Sequence, residues 1–293
     1  MAPSITPAYR VRPLDLGELL DEAFRIYRAN FALMFGVALV ATAPALVTSI
    51  GSGSGGAFGS FQRQYAAALG GGQVAAPDTS LIWLVGVGIV LGIVTFPISS
   101  GAPIFAACAV TLGLPATVGS ILRESLRNYW RLWAIGIIYV LLELTSFAVI
   151  SIPFVILVLV RWAFRYQVLY LEHAGVGGSL TRSSALVKGS WWRVFGILLL
   201  VVIVIPLVLT LVVDVMTGLL ALAAPAGLVR NGVEGLLSSI TQALVLPFKA
   251  VATTLLYLDM RVRKESLDLQ LMAGEAGIAA EHSSPSNLPP PSA

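Results

Sequence analysis

The chain is dominated by apolar runs that begin at Phe31, Leu81, Trp133, Val194 and Leu236. Each is long enough to cross the roughly 30 Å of a bilayer's hydrocarbon. Charge is correspondingly scarce. Acidic and basic side chains make up 11% of the 293 residues and apolar ones 57%, where soluble domains carry roughly 25% charged residues. So few polar groups cannot cover a water-soluble globule of this size. With a mean hydropathy of +0.88, the expected fold is an all-α integral membrane protein.

The first run, 31–50, ends at a glycine- and serine-rich stretch, Gly51 to Gly56, which starts a flexible loop running to Ser80. The second, 81–113, contains Pro97 and Pro103 and is expected to be one kinked span. The run from Trp133 to Val160 is long for one crossing and has Ser151-Ile152-Pro153 near its middle. If it turns at Ser151, the spans are 31–50, 81–113, 129–149, 152–171, 194–213 and 236–258. Fifteen Lys and Arg residues then share one side, Arg63 and Arg230 take the other, and Lys249 lies inside the last span. A single span there divides the same residues eight against nine, and the positive-inside rule rejects it. A shallow re-entrant hairpin keeps the same sidedness. Both termini are therefore expected in the cytoplasm, with 273–293 a disordered Ser- and Pro-rich tail. Arg10 and Arg12 precede an uncleaved first span. Tyr129, Trp130, Trp133, Trp191 and Trp192 fall at cytoplasmic boundaries and Trp83 at the opposite one, as interfacial anchors do.

Three segments share an amphipathic pattern. Leu16, Leu19, Leu20, Ala23, Phe24 and Tyr27 form one stripe. Val118, Ile121, Leu122, Ser125, Leu126 and Tyr129 repeat it, and Leu180, Ser184, Val187 and Trp191 repeat it more weakly. Each segment leads into an odd-numbered span, so the expected architecture is six transmembrane helices as three hairpins, each preceded by a cytoplasmic amphipathic helix. The stripes would either lie on membrane lipid, with their cations attracting anionic headgroups, or pack against the protein's own spans.

Charge inside the membrane is costly enough to mark a site. Glu143 and Arg161 flank the Ser151 turn at similar depth, and Lys249 follows Pro247 in the last span. These three form the candidate intramembrane cluster. It is either a site for protons or substrate, with one surplus positive charge suited to an anionic headgroup, or a paired network that fixes helix register. Asp214, at the far end of the fifth span, reads as an interface residue. Cys108 is the only cysteine, so no intrachain disulfide is available, and His173 and His282 stand far apart without neighbouring ligands. No metal site, cofactor motif or catalytic constellation is readable. A net charge of +3 gives no support for nucleic acid as a partner.

Three stretches resemble the membrane-domain family associated with glycerophosphoryl diester phosphodiesterases. The opening is Arg12-Pro13-Leu14, Gly17-Glu18-Leu19-Leu20-Asp21, Ala23-Phe24-Arg25, Tyr27-Arg28 and Phe31. The start of the fifth span is Trp192-Arg193-Val194-Phe195-Gly196-Ile197. The closing motif is Leu255-Leu256-Tyr257 with Asp259, Arg261, Arg263, Lys264, Glu265 and Asp268-Leu269. The chain departs from the family pattern at Leu258, where a second aromatic is usual, and at Ser266-Leu267, where a Gly-Phe pair is usual. The resemblance implies a bacterial multi-pass inner-membrane protein, a scaffold in envelope or lipid metabolism. The phosphodiesterase barrel that follows in some relatives needs about 250 residues, and the stretch after the closing motif is far shorter.

In the closing motif, Arg261–Glu265 and Lys264–Asp268 are spaced as i, i+4 pairs. They form either a self-paired helix end or a docking surface for a cytosolic protein. The expected function is therefore a non-enzymatic membrane scaffold or accessory protein. The alternative is a transporter or a lipid- or glycerophosphodiester-handling protein that uses Glu143, Arg161 and Lys249. A water-lined cavity reaching that cluster would favour the alternative, and a dry, closed bundle the scaffold.

Overall fold

A computed structural model describes residues 13–52, 82–145, 152–223 and 228–265. The glycine-rich loop, the turn at Ser151, Asp268 and the tail lie outside the described residues. The elements are α1 (Leu16–Ala29), α2 (Phe31–Ser52), α3 (Ile82–Thr111), α4 (Val118–Arg127), α5 (Tyr129–Thr145) and α6 (Ile152–Arg161). There follow α7 (Arg165–Leu171), α8 (Val176–Val187), α9 (Trp191–Leu198), a π-helical turn (Leu199–Val204), α10 (Ile205–Ala223) and α11 (Leu228–Glu265). No strand occurs among the described residues. Among the described residues, four stretches are long and apolar enough to cross a membrane: Ile89–Thr111, Ile152–Leu171, Trp191–Val213 and Gly235–Glu265. A fifth results if α1 and Phe31–Pro44 of α2, which meet at 88°, count as one bent span.

α11 is the central helix and packs against α1, α2, α3 and α10. Its apolar stretch is 67% buried, against 11% for Trp191–Val213. Leu255, Leu256, Tyr257, Leu258 and Met260 are all buried, so this part of α11 is enclosed on every side. Alanines at 102, 106 and 107 of α3 and at 250 and 252 of α11 are buried too, and small side chains of this kind let helix backbones approach closely. On the outside, Ile93, Leu141, Val208 and Val212 are exposed, the surface expected where the surrounding medium is apolar.

The chain turns a similar corner three times. Asn30 ends α1 by donating its side-chain amide to the Ile26 carbonyl (3.1 Å), and its own carbonyl accepts from the Met34 N–H (3.1 Å). Asn128 ends α4 in the same way, through Glu124 O (3.1 Å) and Leu132 N (2.9 Å). Ser190 begins α9, and its carbonyl accepts from Val194 N (3.1 Å). Counted from these corners, equivalent positions are buried in all three copies. Seven residues before they are Ala23, Ile121 and Ser183, and three before, Tyr27, Ser125 and Val187. Four residues after come Met34, Leu132 and Val194, and seven after, Val37, Ile135 and Ile197.

This register corrects the sequence alignment, which set Tyr27 opposite Tyr129. The structure sets Tyr27 opposite Ser125, four residues away. A shift of four is close to one turn of roughly 3.6 residues, so stripe periodicity cannot distinguish the two. The third helix differs further. α8 buries Ser179, Ser183, Leu186 and Val187, where the sequence pattern named Leu180, Ser184, Val187 and Trp191. The stripes of α1 and α4 are used mainly by the protein itself, since Leu19, Ala23, Ile26 and Ile121 are buried, while Leu16, Phe24 and Leu126 remain exposed.

The stretch 152–171, expected as one helix, is broken at Trp162–Phe164. Ser183 bridges the break: its hydroxyl donates to the Arg161 carbonyl (2.8 Å) and accepts from the Phe164 N–H (3.0 Å). A Ser183→Ala substitution orphans that buried N–H and should cost about 1–3 kcal/mol, read as a lower unfolding temperature in detergent. Gly136→Ala would drive a methyl into the ring of Phe96. It should cost about 1–3 kcal/mol by overpacking and be relieved by adding Phe96→Leu, in the same assay.

Candidate functional site

Two charged networks hold one end of the bundle. In the first, Asp259 of α11 is fully buried. One carboxylate oxygen accepts from the Leu14 N–H (2.9 Å) and from Nε of Arg263 (2.9 Å), and the other from Nη2 of Arg193 (3.0 Å). Both arginines also donate to the Leu14 carbonyl, at 2.5 Å from Arg193 and 3.0 Å from Arg263. A buried carboxylate is tolerable only when paired and hydrogen-bonded. This one takes its donors from the chain start, from α9 and from its own next helical turn. Residues from near the chain start, from the start of α9 and from α11 thus meet at one carboxylate.

In the second network, Glu172 accepts from Arg182 Nε (2.9 Å) and from the Tyr257 hydroxyl (2.8 Å). Glu265 accepts from Arg182 Nη1 (2.5 Å) and from Arg261 Nε (3.2 Å). Hydrogen bonding to Glu265, with Glu172 adding to it against a desolvation cost, raises the Arg182 guanidinium above arginine's ordinary value. Arg261 pairs with Glu265 at the i, i+4 spacing read from the sequence. Lys264 donates to the carbonyls of Ala185 and Lys188, where α8 ends and orphan carbonyls favour a cation. Asp268, its expected partner, lies outside the described residues. The described closing-motif residues Tyr257, Asp259, Arg261, Arg263, Lys264 and Glu265 therefore bond to the protein itself.

Beyond these networks, a cavity of about 530 Å³ opens between α3, α5, α6, α7, α9, the π-helical turn and α11. That volume lies in the range of roughly 300–1,000 Å³ typical of small-molecule sites. Most of its wall is apolar, with Val160 and Ala250 buried on the inside and Ile156, Leu199, Val202 and Ile203 exposed at its rim. Three charged side chains line it: Glu143, Arg165 and Lys249. The π-helical turn supplies Leu199, Val202 and Ile203 to the wall, and such departures from α-helix recur at functional sites.

Arg165 is held in a defined place. Its guanidinium lies 3.4 Å from the ring centroid of Tyr139 and 4.3 Å from that of Tyr166. Its Nη1 donates to the Trp162 carbonyl (3.2 Å), and its buried Nε has no hydrogen-bond partner among the described residues. Tyr139 is itself anchored by donating to the Leu159 carbonyl (3.2 Å). Thr253, also on the wall, accepts from Gln167 Nε2 (3.3 Å) and donates to the Lys249 carbonyl (2.8 Å).

Of the three cluster residues named from the sequence, the cavity gathers Glu143 and Lys249. Arg161 stands outside it, with an exposed side chain. The break at Trp162–Phe164 turns the chain so that Arg165, four residues on, faces the cavity instead. The sequence signal for Arg165 was its setting between Phe164 and Tyr166, which offers aromatic faces to a guanidinium. Arg193 was also missed as the partner of Asp259, because nothing in a linear sequence joins residues 66 positions apart. Among the described residues, no three or more His, Cys, Asp or Glu side chains gather where a metal ion could be shared.

No family model, curated protein or solved structure matches this chain. The Asp259 network yields a direct test. Asp259→Asn should cost about 3 kcal/mol, near the low end for breaking a buried pair because both arginines are partly solvated. It should also free the segment ahead of α1, measured as faster proteolysis there and a lower unfolding temperature.

Proposed function

We propose that this chain is a non-enzymatic multi-pass membrane protein that handles lipid by holding one amphiphile in the cavity between its helices. The supporting observation is the cavity itself, which joins a mostly apolar wall to three charged side chains. An acyl chain suits the wall and a polar headgroup suits Glu143, Arg165 and Lys249, the division found in sites that take amphiphiles. The exposed apolar rim at Ile156, Val202 and Ile203 supports access from the side, directly from the bilayer.

In this reading the chain crosses the membrane six times, as three units of cytoplasmic helix and hairpin, with both termini inside a bacterial inner membrane. The exposed Trp130 and Trp192, equivalent positions in the second and third copies, act as interfacial anchors. A scaffold that recruits a cytosolic partner through the closing motif draws less support, because those side chains are turned onto Leu14, Glu172, Arg182 and the end of α8.

Native mass spectrometry of the gently solubilised protein should find about one retained lipid per chain. Ala250→Phe, which fills the cavity, and Ile203→Trp, which narrows its rim, should both reduce that occupancy. Undiminished lipid in both folded variants would refute the proposal. For topology, a single cysteine at Ser284 in a Cys108→Ala background should resist an impermeant thiol reagent in intact cells and react after permeabilisation.

A further inference from the structure

The cavity's charges are unequal. Arg165 and Lys249 bring two positive charges and Glu143 one negative charge, from three different helices that line it. Among the described residues, the Lys249 ammonium has no carboxylate within the 4.0 Å of an ion pair. Arg165 is preorganised by its tyrosine contacts, and among the described residues its buried Nε has no hydrogen-bond partner. A guanidinium held against aromatic rings with a donor unspent is suited to the oxygens of an anion. A mobile ammonium serves the same anion as a point charge.

We infer that the cavity selects a lipid whose headgroup is a singly charged phosphodiester, with Arg165 and Lys249 binding its oxygens and Glu143 acting against headgroups that carry a second negative charge. This inference rests on the proposed amphiphile site and names its ligand class. One negative charge on the ligand brings the wall to neutrality, which matters where solvent screening is weak. A zwitterionic head restores the imbalance with its own cation, and a phosphomonoester sets a second charge against Glu143. The apolar wall makes the ligand a lipid and not a free headgroup.

The test uses the full chain purified in a neutral detergent, with dioleoyl phosphatidylglycerol, phosphatidylcholine and phosphatidic acid as probes. Binding is read by native mass spectrometry and by thermal stabilisation. Phosphatidylglycerol should bind about tenfold more tightly than phosphatidylcholine, whose phosphodiester offers the same oxygens but whose choline cation opposes Arg165 and Lys249. Lys249→Met and Arg165→Gln should each abolish that preference while phosphatidylcholine binding persists as evidence of folding, and Lys249→Arg should restore it. Arg161→Gln, outside the cavity, should leave it unchanged. Glu143→Gln should raise phosphatidic acid to the level of phosphatidylglycerol. Tail-less glycerophosphoglycerol should produce no shift.

Equal binding of phosphatidylglycerol and phosphatidylcholine to the wild type would overturn the inference. If Ala250→Phe still removed both lipids, the amphiphile site itself would stand. Loss of the preference in Arg161→Gln would reassign it to general surface charge, and stabilisation by the tail-less headgroup would reassign it to a soluble ligand. Either result would overturn the assignment. Phosphatidic acid binding left unchanged by Glu143→Gln would remove Glu143 from selection.

Discussion

Asp259 is fully enclosed, and a carboxylate in that position must be neutralised and hydrogen-bonded or it destabilises the bundle. The requirement is met only when Leu14, Arg193 and Arg263 converge on it. That convergence places the start of α1 and the start of α9 against the same turn of α11. The neighbouring Glu172, Arg182 and Glu265 network adds α8 to the group. Three distant parts of the chain are thereby held at one end of the central helix, and the rest of the bundle extends from there.

The cavity arises where helices depart from regular form. The stretch 152–171 is broken at Trp162–Phe164, the span beginning at Trp191 passes through a π-helical turn, and α3 and α11 carry Pro103 and Pro247. Uninterrupted helices pack along ridges and grooves and leave little space between them. Each interruption redirects side chains or prevents close approach, and together they leave about 530 Å³. The same break that opens the space also brings Arg165 to its lining. Ser183 keeps the break intact by bonding to both of its sides.

The threefold unit shows how far linear pattern extends. The segments 16–29, 118–127 and 176–187 each form a helix that ends at a corner and leads into an apolar helix, as their stripes and following runs suggested. The register within the unit was misjudged by one turn, since aromatic residues at Tyr27, Tyr129 and Trp191 offered an attractive but false alignment. The corner residues Asn30, Asn128 and Ser190 are better markers, because their carbonyls are the acceptors that start the next helix. The sequence pattern of α8 also failed to show that serines would be its buried face, a choice made by the broken helix against which it packs.

Composition and run length were enough to determine an all-helical chain with several helices apolar enough to cross a membrane, because satisfying every backbone polar group in an apolar medium leaves few alternatives. They also placed Glu143 and Lys249 within apolar helices, where charge is expensive. Only the tertiary structure could decide which arginine joins them and which partners neutralise Asp259. Those choices depend on a three-residue break and on packing between segments far apart in the chain, and neither leaves a periodic trace in the order of residues.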